Sequence, residues 1–354
     1  MSLVDRYLQS VLSEDGSDLH LLAGDPPRIR RYGDLRHLEP AALRADELRD
    51  ALYAIMPRAT QHMFERHDSA DFAYMVPELA RFRVNVFRHL NGMGAIFRAI
   101  PARAKSLEEL DMPQAVHNLA RSTNGLILVT GKTGSGKSTT LAAMVDAINS
   151  RLRGHILTIE DPIEFVHKRK NCLISQREVG THSPSFAAAL HSALREDPDV
   201  ILVGEMRDLE TIGIAVTAAE MGILVMGTLH TNGAAATVDR IVNAFPSDKQ
   251  SHIRTMLSTS LRGVVSQQLI PRKDGKGRVP ALEILINNSA VGNLIRQGKL
   301  DQLESTMQAG GNAGMRTMDT ALRELFDRRF ISGRDAYLAA SNKSAFEDIR
   351  EQTR

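Results

Sequence analysis

The sequence lacks the features of several common protein classes. Cys172 is the only cysteine among 354 residues, which excludes an internal disulfide and any zinc site built from several cysteines. Its simplest interpretation is a small, buried apolar residue. Lysine and arginine number 44 against 42 aspartate and glutamate, a formal net charge of +2. The chain as a whole therefore has no excess of positive charge of the kind that nucleic-acid binding requires.

Targeting signals and membrane spans are also missing from the sequence. The first residues, MSLVDR, lack the basic-then-apolar order of a secretory signal. No apolar run approaches the roughly 20 residues that cross a bilayer. We therefore expect a cytosolic protein, although docking on a membrane complex stays open. The length suffices for two domains with separate cores.

The first 100 residues mix two periodicities, which predicts an α+β domain. Apolar residues recur at helical spacing in some segments and alternate with polar residues in others, as in half-buried antiparallel strands. The predicted elements are helices at 4–12 and 48–56, strands at 18–22, 72–76, 82–86 and 95–100, and a hairpin-like segment at 29–33. The polar stretch 101–113, with two prolines, is the predicted linker.

Residues 114–354 are predicted to form a second, α/β domain. Short, nearly continuous apolar runs alternate with helical patterns, which is typical of a parallel sheet buried on both faces. The runs are 126–129, 156–159, 200–203 and 223–226. From about residue 290 the pattern is helical, and its apolar stripe, which includes Leu322 and Leu325, is interpreted as core packing.

The strongest motif is GKTGSGKS at 131–138, which satisfies the P-loop pattern G-x-x-x-x-G-K-[ST]. It follows a predicted strand and precedes a predicted helix, so its backbone N–H groups can surround phosphates at a helix N-terminus. We expect Lys137 to reach the β- and γ-phosphates of ATP and Ser138 to bind Mg²⁺. The predicted nucleotide-binding residues are Gly131, Thr133, Gly134, Ser135, Gly136, Lys137, Ser138 and Thr139.

Three further polar groups follow predicted parallel strands, at the sheet edge where α/β sites form. Glu160 opens an acidic loop suited to Mg²⁺ or to the attacking water. Glu205 comes after Gly204, which takes the place of a common metal-binding aspartate, and is predicted as the general base. His230 is predicted to sense the γ-phosphate. Mg²⁺ is assigned to Ser138 with help from Glu160, and the roles of Glu160 and Glu205 can be exchanged.

Two arginines of the first domain allow two interpretations. Arg83 and Arg98 lie on predicted strands. They are either part of a solvated strand face or groups that stabilise charge on the γ-phosphate from another domain or subunit. The sequence leaves both interpretations open.

Several of these motifs, in this order, resemble the hexameric ATPases of secretion and pilus systems. The resemblance spans nearly the whole chain. The segments that carry it are 16–20, 26–30, 81–85, 131–140, 158–165, 192–199, 204–208, 227–231 and 314–319. It implies a PAS-like N-terminal domain, a RecA-like ATPase domain with C-terminal helices, and a ring of six. It also implies that Glu160, Glu205 and His230 belong to the family's Asp box, Walker B and His box, and that Arg83 and Arg98 match its nucleotide-contacting arginines.

Within that family the sequence favours the branch that retracts type IV pili. The assembly and secretion branch usually carries a long N-terminal extension and a four-cysteine zinc module, and this chain has neither. The resemblance then implies a homohexamer that drives twitching motility. Such a ring lies in the cytoplasm at the inner membrane and acts on a platform protein of the pilus machine. A partner ATPase of the same family is a further possible component.

Three departures from the retraction branch keep other hypotheses open. Ile223 stands where histidine is common, and Gly292 and Gln297 replace an arginine and a glutamate of a late helix associated with retraction. The alternatives are an accessory or regulatory paralogue and an ATPase of the pilus-assembly or type II secretion kind. A motor acting on nucleic acid is disfavoured, because the sequence has no basic stripe with interleaved aromatic residues.

Overall fold

The computed structural model describes residues 2–31, 34–77, 79–100 and 103–351. The chain divides into two compact units, Met1–Ala102 and Arg103–Arg354. The end of the predicted hairpin-like segment, 32–33, and the start of the predicted linker, 101–102, lie outside the described residues. The rest of the predicted linker belongs to the second unit, where Leu107 and Met112 are buried in a hydrophobic core.

In its described residues, the first unit forms a six-stranded antiparallel sheet with three helices. Its strand order is β3-β2-β1-β6-β5-β4. The elements are α1 (Leu3–Ser13), β1 (Asp18–Leu22), β2 (Arg28–Arg31), β3 (Asp34–His37), α2 (Ala45–Ile55), α3 (Arg58–His67), β4 (Ser69–Val76), β5 (Ala80–His89) and β6 (Gly92–Ile100). Helix α1 begins at a capping box in which the Ser2 hydroxyl accepts from the Asp5 N–H and the Asp5 carboxylate accepts from the Ser2 N–H.

Alternation along the strands gives this sheet two different faces. Phe82, Val84 and Phe97 are fully buried in a core that the three helices also line. Arg83 and Arg98 come at the alternate positions, so their side chains leave the opposite face. The predicted α+β class of this part of the chain is confirmed.

The second unit is a seven-stranded sheet with order β13-β12-β7-β11-β10-β8-β9. Its neighbouring strands are parallel except for the antiparallel pair β12–β13. The strands are β7 (Gly125–Thr130), β8 (His155–Glu160), β9 (Leu173–Glu178), β10 (Val200–Val203), β11 (Leu224–Leu229), β12 (Leu261–Pro271) and β13 (Arg278–Ile286). The helices are α4 (Gln114–Ala120), α5 (Lys137–Arg151), α6 (Phe186–Ala193), α7 (Leu209–Glu220), α8 (Ala234–Asn243), α9 (Ser247–Ser260), α10 (Ser289–Gln297), α11 (Leu303–Ala309), α12 (Met318–Asp327) and α13 (Gly333–Ala339).

The parallel strands are buried on both faces, as predicted. Along β7, Leu126 and Leu128 belong to one hydrophobic core while Ile127 and Val129 belong to another. The two cores lie on opposite faces because successive side chains of a strand point in opposite directions. This explains why the apolar runs are continuous rather than alternating.

The C-terminal helices divide between two cores. Helices α10 and α11 contribute to one of the sheet cores through Val291, Ile295 and Leu303. Helix α12 packs in a separate cluster through Leu322 and Leu325, which confirms that its apolar stripe is core packing. Three short 3₁₀ segments complete this region: Leu300–Gln302, Gly311–Ala313 and Lys343–Ile349. Within the part of the chain that the structure describes, no helix is long and apolar enough to cross a membrane.

Candidate nucleotide-binding site

The parallel sheet brings the predicted loops to one edge. Strands β7, β11, β10 and β8 are consecutive neighbours, and their register aligns Leu229 with Thr130 and Val203 with Ile159. Because the carboxyl ends of parallel strands meet at the same edge, the P-loop (131–138) follows β7 next to the ends of the other three strands. Glu160, Glu205 and His230 all come from those strand ends, as the sequence predicted.

Glycine in the P-loop is required by both backbone conformation and space. Gly131, Gly134 and Gly136 have φ of 139°, 78° and 90°, a region that side chains disfavour. A Cβ at Gly131 would lie 2.3 Å from the carbonyl oxygen of Gln267 on β12, and one at Gly136 would lie 2.6 Å from Gln267 Nε2. At Gly134 a Cβ meets nothing within 4 Å, so there the backbone conformation alone requires glycine.

The interior of the P-loop is suited to an anion. Lys137 is buried, and its Nζ donates to the carbonyl oxygens of Gly131 at 2.9 Å and Lys132 at 3.2 Å. Burial lowers the pKa of Lys137, although the charges of Glu205 and Glu164 act in the opposite direction. The buried Ser135 Oγ has no hydrogen-bond partner, and buried hydroxyls are normally paired. A phosphate group would satisfy this hydroxyl and restore favourable surroundings for the ammonium.

The beginning of α5 adds to this anion site. The helix has no side-chain N-cap hydrogen bond, because Gly136 stands at the cap position. Its first N–H groups are therefore free of a capping side chain and can bind phosphate oxygens. Ser138 and Thr139 lie half-buried in this first turn, while Thr133 is exposed on the P-loop.

Glu205 lies at the centre of a charged group beyond β10. Its Oε1 is 2.9 Å from His230 Nε2 and also forms an ion pair with Arg207 Nε. Burial raises the pKa of this carboxyl, but the hydrogen bond from Arg207 and the charges of His230, Arg207 and Lys137 outweigh burial. The net result is a pKa below the usual glutamate value, so the carboxylate is ionised at neutral pH.

Glu160 has different surroundings from Glu205. It is buried, its Oε1 accepts from Thr158 Oγ1 at 2.6 Å, and its Oε2 accepts from the Glu164 N–H at 3.2 Å. Burial is the main influence and raises its pKa despite these hydrogen bonds. The protein thus already uses both oxygens of Glu160, whereas in Glu205 both partners bind Oε1.

The described residues contain no group of three or more His, Cys, Asp or Glu side chains arranged to hold a metal ion. A Mg²⁺ ion that binds together with a nucleotide takes most of its ligands from the substrate phosphates and one or two oxygens from the protein. Of the two residues predicted to contribute such oxygens, Ser138 lies in the first turn of α5 and Glu160 at the end of the strand β8.

Arg83 and Arg98 lie side by side on the exposed face of the sheet of the first unit. They are cross-strand partners between β5 and β6, and Arg98 is also paired in register with Asp18 on β1. Arg98 Nε donates to Asp18 Oδ1 at 2.8 Å, and Arg83 Nε is 3.9 Å from Asp71 Oδ1. Both arginine side chains remain well exposed, at 47% and 68%. They form a local pair of charges with free guanidinium edges.

Two residues at the nucleotide site were missed by sequence reasoning. Arg207 lies in the segment 204–208, whose sequence gives no sign of its role, and only the structure shows its ion pair with Glu205. Gln267 lies in β12, a strand that was not predicted, and it contacts the P-loop directly. Nothing in its local sequence marks it as part of a phosphate site.

Comparison with known proteins identifies the class. Residues 1–327 match the model of the family described as Type II/IV secretion system protein. The type IV pilus retractation ATPase PilT of Pseudomonas aeruginosa is 51% identical over 323 residues, 91% of this chain and 94% of PilT. The type IV pilus ATPase PilU of the same organism is 37% identical over 338 residues, 96% of this chain and 88% of PilU. The crystal structure of the pilus retraction motor PilT with bound ADP superposes with a TM-score of 0.91 at 43% identity, covering 98% of this chain and 99% of that one.

The chain therefore belongs to the Type II/IV secretion system protein family. Its P-loop and strand-end glutamate, on the fold of an ADP-bound relative, make it an ATPase of that family. Within the family it is more similar to PilT than to PilU.

Proposed function

We propose that this chain is a hexameric motor ATPase whose ATP hydrolysis powers retraction of a type IV pilus. The observation that carries the proposal is the position of Glu205, which is ionised and lies 2.9 Å from His230 Nε2 at the sheet edge that also holds Lys137. This is the arrangement of a water-activating base next to a phosphate site. The similarity to PilT along the whole chain supports the pilus as the object of the work.

The residues divide the chemical work as follows. The P-loop and the first turn of α5 bind the phosphates, with Lys137 moving from its carbonyl partners to the β- and γ-phosphates. Ser138 would hold Mg²⁺ together with the phosphates, and the ion would supply positive charge beside the transferred group. Glu205 accepts a proton from the attacking water through Oε2, since Arg207 and His230 occupy Oε1.

The two glutamates are assigned by their hydrogen bonds. Glu160 holds the loop that follows β8, because Thr158 and the Glu164 main chain bind its two oxygens. It can reach Mg²⁺ only through the lone pairs that these donors leave. We therefore assign the role of general base to Glu205. Glu160 is assigned a supporting role beside the metal. His230 connects the Glu205 carboxylate to the end of β11 and so responds to the γ-phosphate.

Arg83 and Arg98 are proposed to stabilise the γ-phosphate of their own or a neighbouring subunit. Two adjacent guanidinium groups on an otherwise regular strand pair are suited to an anion with several oxygens. The ion pairs with Asp18 and Asp71 hold the groups at the sheet surface without covering them. In a ring, such contacts would link hydrolysis to the arrangement of subunits.

The assembly is proposed from the likeness to PilT. It is a homohexamer in the cytoplasm, at the inner-membrane base of the pilus, where it acts on a platform protein. A paralogous ATPase is a possible partner. A second candidate is a regulatory paralogue, which is favoured by Gly292, because that position of α10 has no room for the side chain common in retraction enzymes.

Steady-state ATP hydrolysis tests the proposal, with the mass of the purified chain measured by light scattering in Mg-ATP. We expect a hexamer whose turnover is abolished by Lys137→Ala and kept by Lys168→Ala, which removes an exposed lysine of the same unit. A chain that neither assembles nor hydrolyses ATP on its own, but stimulates a partner ATPase, would favour the regulatory candidate. Turnover that persists in Lys137→Ala would contradict both.

A further inference from the structure

Strand β12 contacts the P-loop from one side of β7, and the strands that carry the other nucleotide loops lie on the other side of β7. It is parallel to β7 on the edge away from β11, and its register pairs Ser266 with Thr130. Gln267 therefore follows at the level of Gly131, where β7 ends and the P-loop begins. The close approach is visible at Gly131, whose Cβ position is 2.3 Å from the Gln267 carbonyl oxygen.

The Gln267 side chain forms two hydrogen bonds that span the P-loop. Its Nε2 donates to the carbonyl oxygen of Ser135 at 2.7 Å, and its Oε1 accepts from Thr140 Oγ1 at 2.8 Å. The residue is 2% exposed, so water does not compete for these bonds. The side chain connects the middle of the P-loop to the first turn of α5.

The first of these bonds fixes the orientation of one peptide group. The peptide between Ser135 and Gly136 is planar and trans, so its N–H points away from its carbonyl oxygen. When Gln267 holds that oxygen towards β12, the Gly136 N–H must point to the other side. Gly136 precedes the first turn of α5, and N–H groups at this place bind phosphate oxygens in P-loops.

We propose that Gln267 is a positioning residue for the nucleotide phosphates. It orients the Ser135–Gly136 peptide so that the Gly136 N–H faces the phosphate, and it ties this peptide to Thr140 on α5. The role rests on the proposed nucleotide site, and it explains why Gly136 has no Cβ, since that atom would lie 2.6 Å from Gln267 Nε2. Gln267 itself does not touch the nucleotide.

The test compares two glutamines that are neighbours in sequence. Gln267→Glu keeps the shape of the side chain and the acceptor for Thr140, but it replaces the donor to Ser135 with an oxygen. Gln268→Glu makes the same change one position further on, where the side chain is half-buried and points to the other face. Gln267→Met is a second, uncharged variant of similar length that loses both hydrogen bonds.

ADP binding in the presence of Mg²⁺ is measured by calorimetry on the full chain, well below the unfolding temperature of each variant. We expect Kd to rise by about tenfold or more in Gln267→Glu and Gln267→Met, from the loss of a buried hydrogen bond, and to stay at the parent value in Gln268→Glu. In ATP turnover, the Gln267 variants should raise KM by a larger factor than they lower kcat.

Three outcomes would overturn the inference. One is parent-like ADP affinity in both Gln267 variants, and another is equal weakening in Gln268→Glu. The third is a lowered unfolding temperature with unchanged affinity, which would make Gln267 a structural brace only. If the parent chain itself fails to bind ADP or to hydrolyse ATP, the proposed function fails first, so the two failures are distinguishable.

Discussion

His230 Nε2 and Glu205 Oε1 lie 2.9 Å apart, so the ends of two neighbouring parallel strands are joined through their side chains. A carboxylate held through Oε1 in this way is restricted in orientation. We expect Glu205→Gln to lower ATP turnover by about 10² to 10⁴, the usual contribution of a general base. Binding of ATP should change little, because the amide fits the same space.

Glu210→Gln is the matched control for this prediction. Glu210 is exposed in the first turn of α7, five positions after Glu205 in sequence, and its loss should leave turnover unchanged. Phosphate release gives the rate, and calorimetry of the ATP complex gives the affinity. Turnover at the parent rate in Glu205→Gln would assign the role of general base to Glu160 instead.

Arg207 controls the ionisation of Glu205. Its hydrogen bond is the largest influence that lowers the pKa of Glu205, against burial, which raises it. A general base works only when ionised, so kcat/KM falls as pH drops through the pKa of Glu205. Without Arg207 this pKa rises, because the largest influence that lowers it is lost. We therefore expect Arg207→Gln to move the acid limb of the pH profile to higher pH.

The profile of kcat/KM is the measurement, because this ratio reports the free enzyme. It extends to pH values below the usual glutamate pKa, so that it includes the acid limb of the parent. Arg240→Gln removes an exposed arginine of α8 and should leave the acid limb in place. An acid limb that does not move in Arg207→Gln would show that the Arg207 contact does not set the ionisation that limits the rate.

Much of the sheet could be predicted from the sequence, because its central strands are buried on both faces. The strands β9, β12 and β13 were not predicted, and in β9 and β12 the reason is physical. In β9 the residues Ser175, Gln176 and Arg177 are half-buried, and in β12 polar Ser266 and Gln267 interrupt the apolar run. Polar residues inside a strand remove the hydrophobic signal even when, as in β12, their side chains are buried and hydrogen-bonded.

The part of the site that could be predicted is the part whose position follows from the parallel topology alone. A strand end carries its polar residue to a known edge, which placed Glu205 and His230 together. The contact of Gln267 with Ser135 joins residues 132 positions apart, and it depends on the register of a strand that has no local motif. Likewise, the pairing of Arg207 with Glu205 depends on how the loop after β10 turns.

The cross-strand pair Arg83–Arg98 leads to a prediction about subunits. If both groups stabilise charge on the γ-phosphate, Arg83→Ala and Arg98→Ala should each lower turnover, by about 10³ if they act as arginine fingers do. Arg88→Ala is the control on the same strand, since Arg88 lies over the Phe64 ring on the helical face of the sheet.

Mixing variants shows whether Arg98 acts on the nucleotide of its own subunit or on that of a neighbouring subunit. Rings assembled from Lys137→Ala and Arg98→Ala chains contain interfaces with one intact P-loop and one intact arginine. Partial recovery of turnover means that Arg98 acts on the next subunit, while no recovery means that it acts within its own chain. Full activity of both arginine variants would favour the other interpretation, in which the two arginines only form part of a solvated strand face.

Gly292 of α10 packs closely against the main chain of α9. A Cβ at this position would lie 2.8 Å from the Ser258 carbonyl oxygen and 3.4 Å from Asn287 Oδ1. Alanine is favoured over glycine in helices by about 1 kcal/mol, yet here we expect Gly292→Ala to lower the free energy of unfolding by about 1 to 3 kcal/mol through overpacking. Urea unfolding of the full chain, followed by circular dichroism, measures the change.

Gly213→Ala in α7 is the matched helix control, because its Cβ would lie 3.6 Å from Phe245 Cε1, an ordinary contact distance. It should be neutral or stabilising. Gly292→Arg, which restores the residue common in the retraction branch, should disrupt the α9–α10 contact more than alanine does. If Gly292→Ala proves as stable as the parent, the two helices can separate, and the departure at this position has no packing cause. The regulatory candidate would then lose the structural observation that favours it.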